Sequence, residues 1–179
     1  MSKNKNFLVK LTTTAMLTAI AVFLNRFLAI TSADIKISFV FVPIIICGTL
    51  FGPLWGGVCA GLGDFIAAML MPLGPFHPGI TLTAALTGII YGTVGLAADR
   101  LKSKPLFFLS AVLAVVTEKI ICTLLLNTLW LSGITGNPFF SQMVFRLPQV
   151  AILFVPEIIL VLISKKYILP AVKKTLKEI

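Results

Sequence analysis

The sequence predicts an all-α polytopic membrane protein, a bundle of six transmembrane helices. Three observations carry that fold class. Of 179 residues, 58% are apolar and only 12% charged, against roughly 45–50% and about 25% in soluble domains. Nearly uncharged stretches recur at about the 20-residue length that a bilayer crossing needs, and the mean hydropathy is +1.05. Lys and Arg gather in three segments that a six-span chain returns to one side of the membrane. Together these exclude an ordinary cytosolic enzyme and a disordered chain. Cys47, Cys59 and Cys122 lie in apolar runs without disulfide or zinc spacing and read as small packing residues.

The first helix is expected over about 8–30. Three lysines precede or open it, but no small-residue cleavage site follows, so it reads as a retained span and not a signal peptide. A short polar loop covers 31–36. The uncharged stretch 37–63 is too long for one helix, and Gly52-Pro53 supplies the turn between a second helix at about 38–51 and a third at about 54–71. Pro72-Leu-Gly-Pro-Phe-His-Pro-Gly79 lacks both donors and stiffness and must be a loop. The fourth helix is expected at about 80–98, the fifth at about 105–131 and the sixth at about 139–164. Only short connections remain, so residues 1–179 form a single transmembrane domain.

Lys3, Lys5 and Lys10 mark one end. Arg100, Lys102 and Lys104 follow the fourth helix, and Lys165, Lys166, Lys173, Lys174 and Lys177 follow the sixth. The opposite loops hold only Lys36. By the positive-inside rule both termini are cytoplasmic and the proline-rich loop faces outward. The cytoplasmic segments account for the whole net charge of +9, so the basic balance implies a lipid bilayer and no nucleic acid. Small residues four apart, in Ala15/Ala19, Gly57/Gly61 and Gly88/Gly92, allow close helix approach. The glycines suit packing within the bundle, and the alanines suit either the bundle or a partner.

Six ionisable residues fall inside the spans: Arg26, Asp64, Glu118, Lys119, Arg146 and Glu157. Each is costly in hydrocarbon, so each must pair, face the interior or serve a site. Glu118, Lys119 and Glu157 read equally as packing pairs. Arg26, Asp64, Thr81, Asn127, Trp130, Arg146 and Gln149 converge on the outer half, beneath the loop that holds Phe76 and His77. Apolar walls with a few convergent polar groups describe a small-molecule pocket. Two arginines suit a carboxylate ligand, and Trp130 or Phe76 suits a flat ring, with interfacial anchoring as their alternative role. A lone histidine makes no metal site, so His77 reads as a lid or ligand contact.

Gly61-Leu62-Gly63-Asp64 matches the G-x-G-D pattern of intramembrane aspartyl proteases, but no second aspartate lies at that depth. The sequence has no phosphate loop, no H-E-x-x-H and no G-x-S-x-G, so no catalytic residues, cofactor or metal are expected. Uphill transport would need a partner or an ion gradient.

Ala15-Met-Leu-Thr-Ala19 in a six-helix protein of this size resembles the substrate-binding S components of energy-coupling factor vitamin transporters. The stretch from Gly63-Asp64-Phe65 to Gly92, with Asn127-Thr-Leu-Trp-Leu131 and Arg146, is similar to the folate-specific branch of that family. The resemblance spans essentially the whole chain. It implies a high-affinity folate binder of the bacterial cell membrane, without its own ATPase, that docks through Ala15 and Ala19 on a shared coupling subunit served by two ATPase subunits. On this reading Arg26 and Arg146 hold the carboxylates, Asp64 accepts hydrogen bonds from the pterin, and Trp130 or Phe76 stacks. The rivals are an S component for pantothenate or a pyridoxine-like ring, a membrane-embedded enzyme using Asp64 and Glu118, and a channel.

Overall fold

A computed structural model describes residues 2–31, 36–72, 74–100 and 103–168. The C-terminal lysines beyond 168, Lys102 and most of the polar loop 31–36 lie outside the described residues. Six helical runs form the bundle: α1 (Ser2–Phe27), α2 (Phe41–Phe51), α3 (Pro53–Leu70), α4 (Pro78–Arg100), α5 and α6. The α5 run begins as Lys104–Thr117, widens to π-helical turns over Glu118–Leu126 and ends as Asn127–Thr135. Helix α6 covers Phe139–Ile163 and ends in a π-helical turn, Ser164–Ile168. Among the described residues, five helices are long and apolar enough to cross a membrane. The exception is α2. Its 11 residues reach only about 16 Å, half a hydrocarbon core, because Phe39 and Val40 form a turn where the sequence suggested helix.

Local chemistry explains the breaks. Gly52, at φ 89°, reverses the chain between α2 and α3, and Pro53 takes the first-turn position of α3. Pro78 does the same for α4, which therefore starts two residues before the expected Ile80. Gly136, at φ 73°, ends α5 four residues beyond the expected Leu131. Beyond α1, Ile30–Thr31 and Lys36–Ile37 pair antiparallel, Ile30 opposite Ile37.

The densest packing joins α3 to α4, and α4 also meets α2 and α5. The backbone contact uses Gly56 against Gly88. A Cβ on Gly88 would fall 2.1 Å from the Gly56 carbonyl oxygen, and one on Gly92 would fall 2.3 Å from Pro53 Cα. Gly57 and Gly61, singled out by their spacing, meet Ile89 and Ala85 side chains instead. Gly88→Ala is thus expected to force α3 from α4 and lower the thermal midpoint of the purified protein. Overpacking costs typically about 1–3 kcal/mol, and a backbone partner that cannot yield puts this site at the upper end. An unchanged melting curve would refute the contact. The three cysteines are buried between helices.

Candidate functional site

The helices leave a large polar cavity of about 440 Å³, within the roughly 300–1,000 Å³ range of small-molecule sites. Its walls come from all six helices, from Ser38 and Val40 before α2, and from the loop that joins α3 to α4. The loop end is lined by Pro72, Gly74, Pro75, Phe76 and His77. Arg26, in the last turn of α1, lines this end together with Asp64 of α3 and Thr81 of α4. The Thr81 hydroxyl donates to Asp64 Oδ2 at 2.8 Å. Arg26 Nε is buried and carries no hydrogen bond among the described residues.

Asn127, Arg146 and Gln149 line the middle. Arg146 Nη1 donates to the Thr123 carbonyl at 3.4 Å, linking α6 to the π-helical part of α5. The deep end is built from Thr123, Glu118, Lys119 and Glu157. Glu118 lies near the middle of the run Pro105–Thr135. Trp130, which meets the loop residue His77, stands twelve residues farther along that run, so at 1.5 Å per residue the deep end lies at most about 18 Å from the loop. The cavity is therefore long as well as polar, and suits an elongated molecule.

At the deep end one ammonium serves two carboxylates. Lys119 Nζ stands 2.6 Å from Glu157 Oε1 and 3.0 Å from Glu118 Oε2. The Tyr91 hydroxyl donates to Glu157 Oε2 at 2.7 Å, and Thr123 donates to Glu118 Oε1 at 2.9 Å. The last bond spans five residues, the repeat of a π-helix, so the widened turn brings Glu118 and Thr123 onto one face. All three ionisable side chains are buried. Two anions against one cation leave the floor with a formal charge of −1.

Of the residues expected at the site, Arg26, Asp64, Phe76, His77, Thr81, Asn127, Arg146 and Gln149 all line this cavity. Trp130 is not on its wall. Its indole N–H donates to Thr83 Oγ1 at 3.1 Å, and its ring lies behind the loop, 5.1 Å from the His77 ring at 32°. The satisfied N–H holds the indole under Gly79, where a Cβ would fall 2.5 Å from Trp130 Cε2. Trp130 thus supports His77, whose Nδ1 accepts from the Gly79 N–H at 3.1 Å. Phe76 packs edge-on against Phe65, ring centroids 5.8 Å apart. Glu118, Lys119, Thr123 and Glu157 also line the cavity, beyond the residues that the sequence points to. For the three ionisable ones the sequence carries a signal, since charges at mid-membrane depth are rarely neutral to function; Thr123 carries none.

Ala15 and Ala19 do not pack inside the bundle. Both are exposed on an apolar groove between α1 and α3, with Leu11, Trp55, Val58 and Leu62 among its walls.

Comparison with known proteins agrees with this architecture. The sequence pattern of the family described as "ECF transporter, substrate-specific component" matches residues 9–164. The folate transporter FolT of Clostridium novyi (strain NT) is 32% identical over 140 residues, 78% of this chain and 78% of that protein. The folate transporter FolT of Leuconostoc mesenteroides subsp. mesenteroides is 29% identical over 138 residues, 76% of this chain and 71% of that protein. A solved structure, the crystal structure of FolT bound with folic acid, superposes with a TM-score of 0.74 at 30% identity. That match covers 86% of this chain and 90% of the other. A helical bundle with a long polar cavity, matched over nearly its whole length, belongs to the family of substrate-specific components of ECF transporters.

Proposed function

We propose that this component binds a folate in the polar cavity and delivers it to a coupling subunit driven by two ATPase subunits. One observation carries the ligand. The cavity of about 440 Å³ joins two arginines to a deep polar floor, in a chain similar to transporters named for folate. Folate is long and flat, with a pterin at one end and a dicarboxylate at the other. Arg26 at the loop end takes the tail carboxylates, and Arg146 adds the second cation farther in, as a bidentate fork suits an anion. Asp64, tied to Thr81, orients the loop-end wall beside Arg26. Phe76 and His77 cover the ligand from the loop. Both termini face the cytoplasm, supported by the eleven cations of the terminal and 100–104 segments, and the loop end faces outward.

Mass spectrometry of the small molecule carried by the detergent-purified protein tests the ligand. A folate is the expected mass. Pantothenate or a pyridoxine-like vitamin in its place would replace the reading, and a chemically altered product would point to an enzyme.

For docking, exposure of Ala15 and Ala19 on an apolar groove supports contact with the coupling subunit. Ala15→Trp or Ala19→Trp is expected to leave folate affinity within about twofold while abolishing uptake by the assembled transporter, because a bulky ring blocks close helix approach. Lost binding in the isolated chain would instead mean that these alanines shape the cavity.

A further inference from the structure

Four residues close a circuit where the loop enters α4. His77 Nδ1 accepts from the Gly79 N–H at 3.1 Å, and the Gly79 carbonyl accepts from Thr83 Oγ1 at 2.8 Å. Thr83 Oγ1 in turn accepts from the Trp130 indole N–H at 3.1 Å, and the indole lies 5.1 Å from the imidazole. Pro78 is the first residue of α4, so His77 stands at its N-cap and Gly79 in its first turn. A cap side chain that accepts there satisfies a donor the helix itself cannot. Asn, Asp, Ser or Thr usually holds this post, and none of them changes charge near neutral pH. A histidine differs. Only the neutral ring leaves Nδ1 able to accept, and imidazole ordinarily takes up its proton between about pH 8 and pH 5.

The cap holds more than a helix end. His77 lines the cavity with Gly74, Pro75 and Phe76, and Phe76 meets Phe65 of α3 edge-on. The charged groups sharing that wall are Arg26 of α1, Asp64 of α3 and Arg146 of α6, with Glu118, Lys119 and Glu157 at the far end. Asp64 accepts from Thr81, and Arg146 donates to the Thr123 carbonyl. Two cations against one anion on the nearer wall add to the cost of a charged His77. Protonation also sets a second donor against the Gly79 N–H and puts a positive charge at the positive end of the α4 dipole. Attraction of the cation to the indole is of similar size to the dipole penalty, so those two offset and the lost cap decides.

We propose that His77 is a positioning residue, a titratable N-cap that fastens the loop to α4 when neutral and releases it when protonated. Acid at the loop end therefore hastens escape of the bound ligand. The inference deepens the folate reading and rests on it for the choice of ligand alone.

The test compares two measurements at about pH 7.5 and about pH 5, either side of the ordinary imidazole range. One is the dissociation rate of folic acid from the purified full chain, wild type and His77→Asn. The other is hydrogen exchange at the Gly79 amide of the ligand-free chain, corrected for the intrinsic rate at each pH. The wild type is expected to release folic acid about fivefold faster in acid, the factor one lost N-cap is worth, and to lose similar protection at Gly79. Asparagine accepts from the same N–H without titrating, so in His77→Asn both ratios fall below about twofold. Titration of the ligand's own carboxylates is common to both chains and cancels. His77→Ala, with no cap, shows at about pH 7.5 the low Gly79 protection that the wild type reaches only in acid. Equal pH ratios in wild type and His77→Asn overturn the proposal. So does slower release in acid, which a ring that merely attracts the ligand's carboxylates would give. Should the variants fail to fold, the wild-type exchange decides: unchanged protection at Gly79 across the two pH values refutes the titratable cap. The expected exchange pattern without folic acid binding at either pH supports the cap and sinks the folate reading alone.

Discussion

Lys119→Met is expected to destabilise the bundle more than any other single change at the cavity. The ammonium stands 2.6 Å and 3.0 Å from two carboxylates that are 2% and 5% exposed. Methionine keeps the volume and removes the charge, leaving Glu118 and Glu157 as buried like charges with no counterion. Breaking one partner of a buried pair costs about 3–5 kcal/mol. For a chain of this size each kcal/mol moves the thermal midpoint by roughly 2–4 °C, so a fall of about 10 °C is expected in detergent. Glu157→Gln in the same chain should recover part of that loss. It removes one uncompensated anion and still accepts from Tyr91. A midpoint for Lys119→Met within about 2 °C of wild type would show that the three charges are not energetically coupled. So would a double variant less stable than Lys119→Met alone.

That cluster also shows how far the sequence carries the site and where it stops. Two acids and a base at mid-membrane depth require pairing by charge alone, and the pairs are there. Their position on the cavity wall depends on the π-helical turns of α5, which shift the facing residue from i+4 to i+5, and nothing in Glu118–Leu126 announces that shift. The glycines tell a similar story. A G-x-x-x-G spacing says that some face is flat, but Gly56 and Gly57 are neighbours, and only the crossing of α3 on α4 selects Gly56. Turn chemistry was easier to read. Gly52-Pro53 and the loop before Pro78 break helices because proline has no donor and glycine reaches positive φ. Trp130 was the hardest, since an indole near a helix end suits a ligand, a lipid interface or a packing role equally. The Thr83 hydroxyl, from another helix, gives the indole N–H a partner inside the bundle. Eight of the nine expected site residues line one cavity because a bilayer-spanning chain can place polar side chains in few other places.

Arg26→Ala is expected to cost about 100-fold in folic acid affinity and to leave pteroic acid, the same ligand without its glutamate tail, nearly unaffected. Arg26 occupies the last turn of α1 at the loop end, on the cavity wall, with its buried Nε unsatisfied among the described residues. A carboxylate that reaches it meets a planar fork in a partly desolvated setting, where losing one side of a charge pair costs about 2–5 kcal/mol. That range brackets 100-fold. Arg26→Lys should recover only part of the affinity, because a point charge restores attraction but not two parallel donors. Asp64 supplies the control. If Arg26 serves mainly to neutralise Asp64, then Arg26→Ala weakens folic acid and pteroic acid alike, and Asp64→Asn in the same chain restores both. If Arg26 serves the tail, pteroic acid binding stays near that of the wild type, Asp64→Asn does not restore folic acid binding, and the difference between the two ligands disappears only in variants that lack the guanidinium. The ratio of the two affinities therefore separates an arginine that binds substrate from one that only balances a buried charge.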